Sequence, residues 1–110
     1  MLLEAKDVVI CKVPYTDFTQ LKARPALVLD DLNKRDDVLL CMITKQAYSD
    51  AYALKLTTQD FESGNLHQKV SYIRVSKLFT TEKSIISKIV GRITPEMYSK
   101  VKNTFAILCK

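Results

Sequence analysis

An arginine held in front of a proline, Arg24-Pro25, is the first feature of this chain that could do chemistry. The residue before proline is pushed toward extended backbone, and proline has no N–H to give to a sheet ladder. Arg24 precedes the apolar run Ala26-Leu27-Val28-Leu29, so it is expected at the mouth of a strand with its backbone fixed. A guanidinium presented that way is suited to gripping a phosphate, because its fork of donors matches phosphate oxygens. A second arginine, Arg74, stands two residues before Ser76 in Val70-Ser71-Tyr72-Ile73-Arg74-Val75-Ser76-Lys77-Leu78-Phe79. Strand alternation would put Tyr72, Arg74, Ser76 and Leu78 on one face and Ser71, Ile73, Val75, Lys77 and Phe79 on the other. Arg74 and Ser76 would then lie roughly 7 Å apart.

Other chemistries find little support. Cys11, Cys41 and Cys109 are odd in number, and each sits in an apolar segment without metal-ligand spacing. They read as small hydrophobes in a reducing compartment rather than as a disulfide framework. His67 is the only histidine and falls in a turn, where it reads as a solvent residue, so neither a zinc site nor a Cys–His pair is expected. The residues suggest no cofactor and no metal.

The formal charge is +5, from seventeen Lys and Arg against twelve Asp and Glu. A basic chain is compatible with nucleic acid or with an acidic protein partner, without selecting either. No apolar run approaches the ~18 residues of a membrane span. Met1-Leu2-Leu3-Glu4 is too short and too soon charged for a signal peptide, so a cytoplasmic protein with no membrane partner is expected.

The elements that must position these residues are mostly strands, in one domain over residues 1–110. Residues 7–13, 23–30 and 37–44 are β-rich runs, with residues 53–56 a brief fourth, 70–79 a long one and 85–93 a last. Residues 38–43 do not alternate, so both faces of that strand should be covered, and it is the expected centre of the sheet. Residues 14–22 read as a loop over the sheet, with Tyr15, Phe18 and Leu21 as anchors. Residues 45–52 read as a polar segment with room for a helical turn, and residues 60–65 as a turn around Gly64. Thr94-Pro95-Glu96 is a helix start, with a cap, a proline at the first position and an acid near the positive dipole end. Met97, Val101, Phe105 and Leu108 follow at helical spacing, a stripe to lay on the sheet. Many strands and one terminal helix make a mostly antiparallel sheet or barrel.

Several of these segments, in order, resemble the PemK/MazF toxins of type II toxin–antitoxin systems, a family that shares its fold with the gyrase poison CcdB. They are Asp7-Val8-Val9 with Pro14-Tyr15-Thr16-Asp17, Lys22-Ala23-Arg24-Pro25-Ala26-Leu27-Val28, and Ile43-Thr44. Ser71 to Thr80, then Lys83-Ser84-Ile85-Ile86 and Ile89-Val90-Gly91, complete the match. The resemblance implies an SH3-like barrel with a C-terminal helix, acting as a homodimer. It also implies a metal-independent endoribonuclease that cuts single-stranded RNA at short motifs. In that reaction the ribose 2′-oxygen attacks the adjacent phosphorus, leaving a 2′,3′-cyclic phosphate and a 5′-hydroxyl. An acidic antitoxin would block the RNA groove.

Carried over by position, the resemblance places Arg24, Thr44 and Arg74 in the catalytic set. Thr16, Asp17, Lys22, Lys45, Ser76 and Lys77 would support RNA binding. Arg24 and Arg74 can supply cations for the charge on phosphorus, and Thr44 a hydrogen bond to a phosphate oxygen. Some members carry an aspartate where this chain has Ser76, so the base is left open between Asp17, Arg24 and no group at all, with Asp17 also able to orient Arg24. The family often has Gly-Ser where this chain has Gln20-Leu21, and Gly before the first Asp where it has Lys6. Tyr72 and Tyr48 are candidates to stack on bases, or to pack in a core or interface. The alternative is a non-cleaving RNA-binding or protein-poisoning member of the fold, directed at gyrase. An RNA groove should gather Arg24, Arg74, Lys22, Lys45 and Lys77 on one face, whereas a protein-poisoning surface need not.

Overall fold

The computed structural model describes residues 2–14, 21–31, 36–46 and 51–109. The expected loop anchors Tyr15 and Phe18, and residues 47–50 of the segment read as a helical turn, Tyr48 among them, lie outside them. Seven strands form a single sheet: β1 (Asp7–Pro14), β2 (Leu21–Asp30), β3 (Asp37–Thr44), β4 (Ala53–Thr57), β5 (Phe61–Gly64), β6 (Val70–Glu82) and β7 (Ile86–Ile93). Their order is β4-β6-β3-β2-β1-β7-β5, and every pairing is antiparallel. The edge strands β4 and β5 are joined by a three-residue 3-10 turn, Thr58–Asp60. Two edges tied so closely in sequence force the sheet to curl, giving a half-barrel. Asp60 fixes that corner, accepting from the Thr57 N–H at 2.7 Å and the Thr57 hydroxyl at 3.1 Å.

Both faces of the sheet are covered. On one lie Val8, Leu27, Cys41, Ile43, Leu56, Ile73, Val75 and Ile93, with Met97 and Val101 of the helix. On the other lie Leu3, Val9, Cys11, Ala26, Val28, Val38, Leu40 and Ile86. Neighbours such as Val8 and Val9, or Leu40 and Cys41, fall in different cores, as strand alternation requires. The unbroken apolar run of β3 is thereby explained, although the middle of the sheet is β2, with β3 beside it. Ala26, Leu27 and Val28 are fully buried.

The helix α1 (Pro95–Leu108) starts as its sequence predicts, with the Thr94 hydroxyl accepting from the Met97 N–H at 3.1 Å. Tyr98 donates to the Leu29 carbonyl at 3.1 Å and ties the helix to β2. The expected stripe holds only over the first turns: Met97 and Val101 are buried, whereas Phe105 is 36% exposed.

Other readings also change. Arg24 and Pro25 lie inside β2, not at its mouth, because β2 begins at Leu21 and pairs with β1 through Arg24↔Cys11 and Pro25↔Ile10. Proline is tolerated there because the pairing of β2 with β3 runs only as far as Ala26↔Met42, one residue short of it. The Gly64 segment is a strand, β5, ending in a glycine at φ 63. A Cβ on Gly64 would collide with the Val90 backbone oxygen. Cys109 is exposed, unlike the buried Cys11 and Cys41.

Candidate functional site

Register brings the candidate residues together. Cys11 stands opposite Arg24 in β1–β2, and Thr44 stands opposite Tyr72 in β3–β6. Continuing the β2–β3 register two residues beyond Ala26↔Met42 sets Arg24 across from Thr44. Lys55 of β4 pairs with Tyr72 from the other side. One rung, Cys11–Arg24–Thr44–Tyr72–Lys55, therefore crosses five adjacent strands. It lies on the face away from α1, because Arg24 alternates with Leu27 and Thr44 with Ile43, both in the helix-side core. Burial falls along it: Cys11 is buried, Arg24, Thr44 and Tyr72 are half-buried, and Lys55 is exposed.

Arg74 lies two residues along β6 from Tyr72 on the same face, paired with Ala53. Two strand spacings and two residues of rise separate the Arg24 and Arg74 Cα atoms by about 12 Å, within converging reach of two guanidinium groups. Toward β3, the register passes from Ile43↔Ile73 to Cys41↔Leu78, so Met42 alone faces the four residues Arg74 to Lys77. Bulges of this kind bend a strand and re-aim its side chains, often beside functional sites. The bulge overturns the simple alternation expected of this strand. Leu78 joins Ile73 and Val75 against the helix-side core, while Phe79 packs on the opposite one. Ser76 and Lys77 are exposed within the bulge.

Two contacts escape a reading of sequence alone. The Cys11 thiol donates to the Arg24 carbonyl at 3.4 Å, and the Cys41 thiol to the Arg74 carbonyl at 3.0 Å. Burial pushes these thiols up, Cys11 to about 11 and Cys41 to about 12, so both remain protonated donors. Each buried cysteine thus steadies the backbone of one candidate arginine. Lys55 also goes unremarked in the sequence, where nothing marks a lone lysine in a short strand; only the pairing with Tyr72 reveals it. The Thr44 hydroxyl accepts from the Gln46 N–H at 3.3 Å, which orients its oxygen and leaves its proton to donate.

Lys22 is exposed on the Arg24 face, opposite Val13, and Lys45 is exposed in the bend after β3. Thr16 and Asp17 lie outside the described residues. His67 is exposed, as its sequence position suggests. Among the described residues, no group of three or more His, Cys, Asp or Glu is placed to hold a metal ion.

Charge is divided along the strands. At the end carrying the rung stand Lys12, Lys22, Arg24, Lys45, Lys55, Lys69 and Arg74. At the other end stand Glu4, Asp7, Asp30, Asp31, Asp36, Asp37 and Glu82. Among the described residues, cations at the acidic end are paired: Arg92 with Asp7 at 3.0 Å and Glu4 at 3.2 Å, Lys6 with Glu62 at 3.6 Å, and Lys83 with Asp31.

A curled antiparallel sheet backed by one C-terminal helix, with a rung of Arg, Thr and Tyr across the face away from that helix, defines the class of protein. The chain belongs to the family of PemK-like, MazF-like toxins of type II toxin–antitoxin systems, whose model matches residues 4–109. It is similar in structure to MazF in a MazE–MazF complex from Deinococcus radiodurans, with TM-score 0.79, 14% identity, and 99% of this chain and 97% of that one covered. It is also similar to the Mycobacterium tuberculosis toxin MazF-mt6, with TM-score 0.70, 16% identity, and 92% and 93% covered. A mycobacterial endoribonuclease in complex with its cognate antitoxin matches with TM-score 0.71, 15% identity, and 96% and 93% covered. No curated protein sequence matches the chain.

Proposed function

We propose that this protein is the toxin of a toxin–antitoxin pair and a metal-independent endoribonuclease acting on single-stranded RNA. The observation that carries this reading is that Arg24 and Thr44 each lie two residues beyond the last β2–β3 pair, Ala26↔Met42, on one face of the sheet, with Arg74 on the same face of β6. In this reading the 2′-oxygen attacks the neighbouring phosphorus, the bond to the 5′-oxygen breaks, and a 2′,3′-cyclic phosphate and a 5′-hydroxyl result. Charge accumulates on the phosphoryl oxygens as the new bond forms. Arg24 and Arg74 offset it, and the Thr44 hydroxyl donates to one of those oxygens. The 2′-OH proton needs an acceptor and the 5′-oxygen a donor. Ser76 is a weak candidate for either task, because a serine hydroxyl is a poor base and a poor acid near neutral pH.

The basic end of the sheet also suits an acidic antitoxin laid over the same groove, as the antitoxin complexes of the similar structures suggest. The exposed apolar Phe105 and Ile107 of α1 are consistent with a homodimer.

The test is incubation of purified protein with a long single-stranded RNA in EDTA. Discrete fragments bearing 5′-hydroxyl and 2′,3′-cyclic ends are expected. Arg24→Ala should slow cleavage by about 100-fold or more, and Arg24→Lys should fall between, keeping charge but losing the fork. Intact RNA, or an Arg24→Ala protein that cuts as fast as wild type, would overturn the reading in favour of a non-cleaving member of the fold.

A further inference from the structure

The rung does not end at Thr44. Its next two members, Tyr72 and Lys55, are an aromatic ring and then a cation on successive strands. We propose that they form a second RNA subsite, in which Tyr72 stacks on a base flanking the bond that is cut and Lys55 holds a phosphate further along the strand. This rests on the ribonuclease reading above and adds to it the path the RNA takes toward the β4 edge.

Three observations support that path. Tyr72 is half-buried, so it is anchored yet reaches solvent, and its side chain is on the face that bears Arg24 and Thr44. Lys55 is exposed on that same face, because its neighbours Leu54 and Leu56 pack against the core on the other side. β4 is an edge strand, so among the described residues no further strand lies beyond Lys55 to block a chain running outward past it.

Spacing is consistent with one strand of RNA. Tyr72 lies two strand spacings from Arg24, about 10 Å, and Lys55 three, about 14 Å. A phosphate gripped at Arg24 therefore leaves room for a base over Tyr72 before the next cation is met. Alternation of an aromatic with basic residues along a groove is how single strands are held without reading sequence, through stacking and charge together. Tyr72 would thus set affinity beside the cut, while Arg24, Thr44 and Arg74 act on the phosphorus.

The experiment compares wild type, Tyr72→Leu, Tyr72→Phe and Lys55→Gln for cleavage of a long single-stranded RNA. The same proteins are measured for binding to a 2′-O-methyl version of it, which lacks the attacking hydroxyl. Tyr72→Leu should weaken binding and raise KM by about tenfold, and Tyr72→Phe should recover most of that loss, because the ring and not the hydroxyl stacks. Lys55→Gln, at an exposed position where folding is not at stake, should weaken binding a few-fold at low salt. It should also reduce the salt dependence by about one phosphate contact. A wild-type protein that cuts RNA while Tyr72→Leu and Lys55→Gln bind and cut as it does would overturn the subsite and leave the ribonuclease reading standing. A wild type that neither binds nor cuts RNA would overturn both.

Discussion

At the scale of single residues, the two candidate arginines, Arg24 and Arg74, are braced by neighbours that carry no charge. The Cys11 and Cys41 thiols give hydrogen bonds to the carbonyls of Arg24 and Arg74, and burial keeps them protonated. A thiol raised from its ordinary value of 9.0 to about 11 holds its proton more tightly in the folded state than in the unfolded one. The stability this contributes is complete below pH 9.0 and is lost as pH rises through about 11 for Cys11 and about 12 for Cys41. Two outcomes are expected. A thiol reagent at pH 8 should modify the exposed Cys109 quickly and the two buried cysteines only on unfolding, read by mass spectrometry. Thermal midpoints should decline above about pH 9, with Cys11→Ser and Cys41→Ser each flattening part of that decline. Rapid labelling of all three cysteines in the folded protein would refute this account.

At the scale of elements, the sequence reveals what has strong local chemistry and hides what depends on register. The run from Asp37 to Thr44 has the predicted bounds, and the Thr94 cap and Pro95 mark the start of α1 without ambiguity. β5 was legible only as a turn, because Phe61-Glu62-Ser63-Gly64 has a single half-buried apolar residue and is defined by pairing with β7. The bulge in β6 has no mark in the residues themselves; it arises where Met42 must face four residues, and it decides which way Leu78 and Phe79 point. Arg24, Thr44 and Arg74 stand out as candidates from sequence by motif, but Lys55 and the thiols do not, since their partners lie on other strands. One departure from the family pattern does gain a physical meaning. Lys6 stands where the family often has glycine, and its φ is 82, a left-handed conformation that disfavours a side chain. Its backbone is nevertheless held, with its N–H on the Val28 carbonyl at 3.1 Å and its carbonyl accepting from Ile93 at 3.0 Å. Lys6→Gly relieves the strain and loses only the half-exposed pair with Glu62, so stability should rise by about 1 kcal/mol. Differential scanning calorimetry should show a midpoint about 4 °C higher. An unchanged or lower midpoint would mean that Lys6 carries no strain.

At the scale of the whole molecule, antiparallel pairing is what divides the charge. In β1, β2, β3 and β6 the basic residues cluster at the Thr44 end of the sheet and the acidic ones at the Asp37 end, so chain direction alternates while the sign of each end does not. Among the described residues, cations at the acidic end are held in ion pairs, whereas those around the rung leave that end with an excess of positive charge. Such a field should draw a polyanion to that end and orient it there before any specific contact forms. Its measurable consequence is the salt dependence of RNA binding. Contacts from Arg24, Arg74, Lys22 and Lys55 to about four phosphates of a single strand give a slope of about −3 in log affinity against log salt. The measurement is fluorescence anisotropy with uncleavable 2′-O-methyl RNA across roughly 50 to 200 mM salt. A slope shallower than about −1 would mean that at most one phosphate is held by charge, and the basic end would then be solvated surface rather than a groove for nucleic acid.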